Sequence, residues 1–172
     1  MARPAPGAGA LSPEIRVGQG FDVHRAGEDA ARPMVLGGCR FPDVPGLVGH
    51  SDGDAVAHAV AEALLGAAGL GDIGQHFPDT DLRYLEADSV ELLRQVAAEV
   101  RAEGWSIGNA DCSVICEQPR LAPVRDEMQA RLSAAVGAPV SVKGRRPEQL
   151  GALGRGEGLA VFAVAVLIRG EA

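Results

Sequence analysis

Leu159-Ala160-Val161-Phe162-Ala163-Val164-Ala165-Val166-Leu167-Ile168 is an unbroken apolar run near the end of the chain. Read as a strand from Glu157 to Ile168, it sends Leu159, Val161, Ala163, Ala165 and Leu167 to one face. Ala160, Phe162, Val164, Val166 and Ile168 go to the other. A strand that is apolar on both faces must be covered on both. The rest of the chain has helices enough for one side only, so the pattern predicts an α+β domain, a mixed β-sheet with helices packed on one face. The second face is expected against another subunit, sheet facing sheet. The run is too short to cross a bilayer.

The covering helix is announced by Gly49-His50-Ser51-Asp52-Gly53-Asp54-Ala55-Val56-Ala57-His58. Asp54, preceded by glycine, is suited to an N-cap, which spaces Asp54, His58 and Glu62 at i, i+4 as one polar stripe. The other positions to Ala68 are alanine, valine, leucine and one glycine, with no lysine or arginine, so the helix is buried. A buried imidazole and carboxylate need partners or a metal. A lone histidine in such a setting is usually a satisfied core residue, but His58 is not alone. Ile15 to Phe21 reads as a short strand that becomes glycine-rich before Asp22-Val23-His24. In extended chain, residues i and i+2 share a side, so Asp22 and His24 can aim at one ion. With His58 they make three protein ligands and leave an open position, the donor set of a catalytic zinc site.

Val35 to Pro42 suggests a second strand with a glycine bulge or turn, ending at Pro42. Residues 71–81 read as a loop. Asp88-Ser89 caps a helix whose stripe is Val90, Leu93, Val96, Ala97 and Val100, stopped by Gly104. Trp105 to Ile115 reads as a strand with a turn or bulge at Gly108-Asn109, followed by a helix from about Arg120 to Val136 and a short strand from Val140 to Lys143.

The 172 residues fit one domain, 15–170, behind an Ala/Pro/Gly-rich tail, 1–14, expected to be disordered. A net charge of -7, relieved only by the Arg145-Arg146 pair, excludes a nucleic-acid surface. Cys39, Cys112 and Cys116 are odd in number and form no CxxC. That fits a reducing, cytoplasmic setting, and the tail carries no signal peptide.

Taken in order, Gly18-x-Gly-x-Asp-x-His24, Gly49-His-Ser-Asp-Gly-Asp54 with His58, Leu70-Gly-Asp-Ile-Gly74 with Phe77-Pro-Asp-Thr-Asp81, and Gly154-Arg-Gly-Glu-Gly158 form a set. The set closely resembles the 2-C-methyl-D-erythritol 2,4-cyclodiphosphate synthases of the non-mevalonate isoprenoid pathway. The resemblance covers nearly everything from Ile15 to Ile168. It implies a homotrimer with active sites between subunits, acting on a cytidine diphosphate substrate. It makes Asp22, His24 and His58 ligands of Zn2+ or another divalent transition metal, and Glu148 a ligand of Mg2+ or Mn2+ on the diphosphate. His50 and Ser51 match the pair that binds the erythritol phosphate. Asp72, Ile73 and Gly74, with Phe77, Pro78, Asp79, Thr80 and Asp81, match the loop holding the methylerythritol moiety. Cys116, Glu117, Gln118, Pro119, Arg120, Leu121 and Ala122 match the cytidine segment, and Arg155 a diphosphate contact. The expected catalytic set is His50 and Asp79, joined by Arg146 from a segment that departs from the family.

One segment departs from the family. Lys143-Gly144-Arg145-Arg146-Pro147-Glu148 stands where Lys-Ala-Thr-Thr-Thr-Glu is usual, and Ala152 where an aromatic residue is common. A guanidinium binds phosphate bidentately, so Arg145 or Arg146 is expected to replace the missing threonine hydroxyl electrostatically. Two other readings follow from the same residues: a zinc phosphohydrolase of a related nucleotide diphosphate, and a non-catalytic trimeric module that binds phosphate or nucleotide.

Overall fold

Strand β6 (Gly158–Arg169), the apolar run, lies inside a four-stranded sheet of order β1-β6-β4-β5. The structure is a computed structural model and describes residues 13–29 and 31–170, so tail residues 1–12 lie outside the described residues. β1 (Glu14–Arg25) and β4 (Ser106–Ile115) flank β6, both antiparallel to it. β5 (Val140–Arg145) adds to β4 in parallel. The sheet is therefore mixed, as expected, and β4 carries its bulge between Ile107 and Asn109, at Gly108.

Helices α1 (Ala55–Ala68), α3 (Ser89–Ala102) and α4 (Arg125–Val136) cover one face. Leu159, Val161, Ala163, Ala165 and Leu167 of β6 point into that layer and are buried. On the opposite face Ile15, Val17, Phe21, Val23, Phe162 and Val164 are exposed, with the rings of register partners Phe21 and Phe162 at 4.9 Å between centroids. In the single chain this apolar face is uncovered.

α1 is buried along most of its length and lies directly on β1. The contact works because β1 has no side chains at Gly18 and Gly20. A Cβ on Gly20 would stand 1.9 Å from the Ala59 carbonyl oxygen, and one on Gly18 1.9 Å from that of Ala63. Main chain meets main chain. The next residues on this strand face are Asp22 and His24.

Three expectations need correction. Val35–Pro42 is not one strand but the hairpin β2 (Pro33–Leu36) and β3 (Cys39–Pro45), turned at Gly37 and Gly38, whose φ values are +56° and +73°. Pro42 is tolerated inside β3 because the two-stranded sheet leaves β3 an open edge. Residues 71–81 contain a short helix, α2 (Ile73–His76), capped by Asp72. α4 begins at Arg125, not near Arg120, since Pro123 keeps the preceding residue out of the helical region.

Asp54 caps α1 as expected, with Oδ1 accepting from the N–H groups of Val56 and Ala57. It also does something the sequence does not disclose. Its two carboxylate oxygens accept from the N–H groups of Gly37 (2.8 Å) and Gly38 (2.7 Å), pinning the hairpin to the start of α1. Burial pushes this carboxyl above its ordinary value, against the pull of those N–H donors.

Candidate metal centre and active site

The α1–β1 contact brings His58 to Asp22. His58 Nδ1 and His24 Nε2 each lie 3.0 Å from Asp22 Oδ2, and the ligand atoms of the three residues fall within 4.8 Å of one another. Burial alone would raise the Asp22 carboxyl, but the two imidazoles outweigh it and hold it well below the usual carboxylate range. Burial pulls the His24 imidazole down, and Asp22 beside it, aided by the Val48 carbonyl, lifts it above its ordinary value.

The donor chemistry fits a cation. His24 Nδ1 lies 2.7 Å from the Val48 carbonyl oxygen, which only accepts, so that nitrogen carries the hydrogen. The Nε2 of His24 then faces a carboxylate oxygen at 3.0 Å, a pairing that needs positive charge between the two atoms, either a proton on Nε2 or a metal ion in its place. A backbone carbonyl fixing the far nitrogen is the usual support of a metal-ligating histidine. Sequence and geometry name the same three residues.

Around this centre is a cavity of about 120 Å³ lined by His24, His50, Ser51, His58, Ile73, Phe77, Tyr84 and Leu92. His50 Nε2 donates to the Asp81 carbonyl (3.0 Å), which leaves Nδ1 for a ligand. The Ser51 hydroxyl is buried and lies 3.1 Å from His58 Nε2, so Ser51 supports the metal centre as well as lining the cavity. Arg32 braces this stretch, donating to the carbonyls of Gly49 and Ser51. Glu62, the last member of the α1 polar stripe, accepts from the Ile73 N–H (3.0 Å) and so holds α2 at the cavity.

The remaining loop residues are less convergent. Asp72 is occupied in capping α2, accepting from the backbone and side chain of Gln75. The Asp81 carboxylate pairs with Arg83. Gly74, Asp79 and Thr80 are exposed and Pro78 half-buried, outside the residues lining this cavity.

A second cleft, of about 260 Å³, is lined by Cys116, Glu117, Pro119, Arg120, Leu121, Ala122, Arg125, Gly144, Arg145 and Arg146. Its origin is topological. β4 and β5 are parallel with Ile115 beside Arg145, so the segments leaving both carboxyl ends form one crevice, the usual ligand position in such sheets. Arg146 is not free in it: its guanidinium pairs with Glu117 at 3.0 Å, and Glu117 also accepts from the Gln149 N–H. Glu148 and Gln149 both have positive φ, +53° and +61°, a strained conformation for consecutive non-glycine residues. Gln118 and Pro147 are not among the lining residues. Ala152 lines a third cavity, together with Val23 and His24, and Arg155 pairs with Glu157 at 2.6 Å. The metal-centre cavity and the 260 Å³ cleft share no residue within one chain.

The sequence profile of the YgbB family matches residues 15–168. The chain belongs to this family. Among YgbB-family relatives, the 2-C-methyl-D-erythritol 2,4-cyclodiphosphate synthase of Geobacillus kaustophilus is 53% identical over 156 residues, covering 89% of this chain and 98% of that protein. The bifunctional IspDF of Campylobacter jejuni is 41% identical with a TM-score of 0.88, covering 94% of this chain and 44% of that longer one. IspF of Plasmodium falciparum, solved as a CDP complex, is 32% identical with a TM-score of 0.79, covering 91% of this chain and 97% of that one.

The three thiols are poor nucleophiles. Burial pushes Cys112 up to about 12 and Cys116 up to about 11, and raises Cys39 as well. At pH 8 Cys116 therefore stays in its thiol form. A disulfide reagent at that pH is expected to leave the native protein unmodified for many minutes and to titrate all three cysteines in denaturant. Rapid labelling of Cys116 in the native state would contradict this.

Proposed function

We propose that the chain converts 4-diphosphocytidyl-2-C-methyl-D-erythritol 2-phosphate to 2-C-methyl-D-erythritol 2,4-cyclodiphosphate with release of CMP, as a phosphorus–oxygen lyase. The observation that carries this reading is the Asp22–His24–His58 cluster opening on the cavity that also holds His50 and Phe77. An oxygen of the 2-phosphate attacks the β-phosphorus, the bond from that phosphorus to the bridging oxygen breaks, and the bridging oxygen leaves with CMP. Like charges are forced together, so positioning and cations supply most of the rate. Asp22, His24 and His58 would hold a divalent metal such as Zn2+, which when bound would supply positive charge to offset that of the phosphates.

The other roles belong to the chain. His50 and Ser51 hold the erythritol phosphate, and Ile73 and Phe77 pack the methylerythritol moiety. The cleft of Cys116 to Ala122 takes cytidine, and Glu148 meets Mg2+ or Mn2+ on the diphosphate. The cavity and the cleft lie apart in one chain, and the face bearing Phe21 and Phe162 is apolar and bare. Both facts support association of copies of the single catalytic domain, 15–170, so that the cavity of one meets the cleft of the next; the reading takes the assembly as a homotrimer and its location as cytoplasmic. Among the described residues no helix is long and apolar enough to cross a membrane.

Incubation with the cytidylylated substrate, zinc and magnesium tests the reading, followed by phosphorus NMR. A cyclic diphosphate with CMP is expected; linear phosphates would indicate a phosphohydrolase, and binding without CMP a non-catalytic module. Arg146→Ala is expected to slow turnover about tenfold, the worth of one charge-assisted phosphate contact. An unchanged rate would remove Arg146 from the catalytic set.

A further inference from the structure

Behind His58, on the side away from Asp22, stands a chain of hydroxyls ending in a carboxylate. His58 Nε2 is 2.9 Å from Ser89 Oγ and 3.1 Å from Ser51 Oγ, Ser89 Oγ is 3.1 Å from Ser51 Oγ, and Ser89 Oγ is 2.5 Å from Asp52 Oδ1. Ser89 is 1% exposed. Neither Asp52 nor Ser89 enters the roles assigned above.

The direction of each hydrogen follows from the one member that has none. The Asp52 carboxylate accepts from the Asp54 N–H (3.0 Å) and the Ser89 N–H (3.2 Å), and it claims the single Ser89 hydroxyl hydrogen through its shortest contact. Ser89 Oγ is thereby left as an acceptor toward both Ser51 and His58. The Ser51 hydroxyl accepts from the Gly53 N–H (3.3 Å) and lies 3.1 Å from both Ser89 Oγ and His58 Nε2, so its own hydrogen can turn to Ser89, which is left as an acceptor. Ser89 Oγ, at 2.9 Å the nearer of the two oxygens and an acceptor once its hydrogen is given to Asp52, favours a hydrogen on the nitrogen that faces it.

We propose that Ser89, oriented by Asp52, is a positioning residue that keeps the hydrogen of His58 on Nε2 and thereby presents Nδ1 to a metal. This rests on the metal reading of Asp22, His24 and His58. The arrangement mirrors the carbonyl of Val48 behind His24, so each imidazole has its far nitrogen fixed: His24 by a backbone oxygen, His58 by a hydroxyl backed by negative charge. Such outer partners orient the ring and raise its basicity as a ligand. Asp52 also ties the centre to the start of α3 through the Ser89 N–H, so the positioning group is held by main chain as well as by side chain.

The test uses the full-length protein labelled with 15N-histidine and titrated with zinc against a chelator. Wild type is expected to take one zinc per chain and to show a slowly exchanging His58 Nε2–H in the zinc-loaded state. Ser89→Ala should weaken zinc binding about 10- to 100-fold and lose that signal, as outer-shell removals do. Ser89→Thr, which keeps the hydroxyl, should restore both. Metal-free circular dichroism checks that each variant is folded. Unchanged affinity and signal in Ser89→Ala would overturn the proposal while leaving the metal reading intact. Equal loss in Ser89→Thr would assign the effect to packing and overturn it too, and failure of wild type to bind zinc would remove both readings together.

Discussion

Asp22→Asn is expected to lower CMP formation to about 1% of the wild-type rate or less, a barrier increase of about 2.7 kcal/mol or more. The amide keeps the shape of the carboxylate but not its charge. Asp22 is the one anionic member of the cluster, and its Oδ2 is the atom on which His24 Nε2 and His58 Nδ1 both converge. Removing outer-shell partners of a metal already costs about 10- to 100-fold in affinity, so removing the anionic ligand is expected to cost more. Two measurements on the same preparation check this: zinc per chain after dialysis, and CMP by chromatography. A variant with full zinc occupancy and full rate would defeat the assignment of Asp22.

Gly20→Ala is expected to destabilise the fold by about 3 kcal/mol, the upper part of the range for overpacked sites. The added methyl would stand 1.9 Å from the Ala59 carbonyl oxygen and 2.7 Å from the Ala63 nitrogen, both backbone atoms that no rotamer change can move. Either β1 or α1 must retreat as a body, and His58, one residue before Ala59, retreats from Asp22 with it. The urea midpoint should therefore fall together with zinc affinity. An unchanged midpoint would mean that the layers are looser than the contact distances require.

Signals that repeat along the chain were readable without coordinates. The period of two that placed Asp22 beside His24, and the cap that set Asp54 and His58 one turn apart, both survive in the fold. The apolar run of β6 announced its uncovered face in the same way. Contacts between residues far apart in sequence carried no such mark. Arg32 reaches the carbonyls of Gly49 and Ser51, Ser89 reaches His58, and Asp54 reaches back to Gly37 and Gly38. Nothing in their spacing predicts these contacts. Gly37-Gly38 reads as a bulge or turn within one strand, although two consecutive glycines, free to take positive φ at both positions, are a hairpin signal in their own right. Arg146 was legible as a cation, while its partner Glu117 lies on a loop after a different strand.

The glycine contact between β1 and α1 also bears on how this protein can change over generations. The gap between Asp22 and His58 is gauged chiefly where backbone touches backbone, at Gly18 and Gly20. Apolar exchanges at Val96, Leu132 or Val142, away from this contact, are expected to alter stability more than the spacing of the three ligand atoms. Two residues without side chains thereby carry a large share of the constraint on the reactive centre.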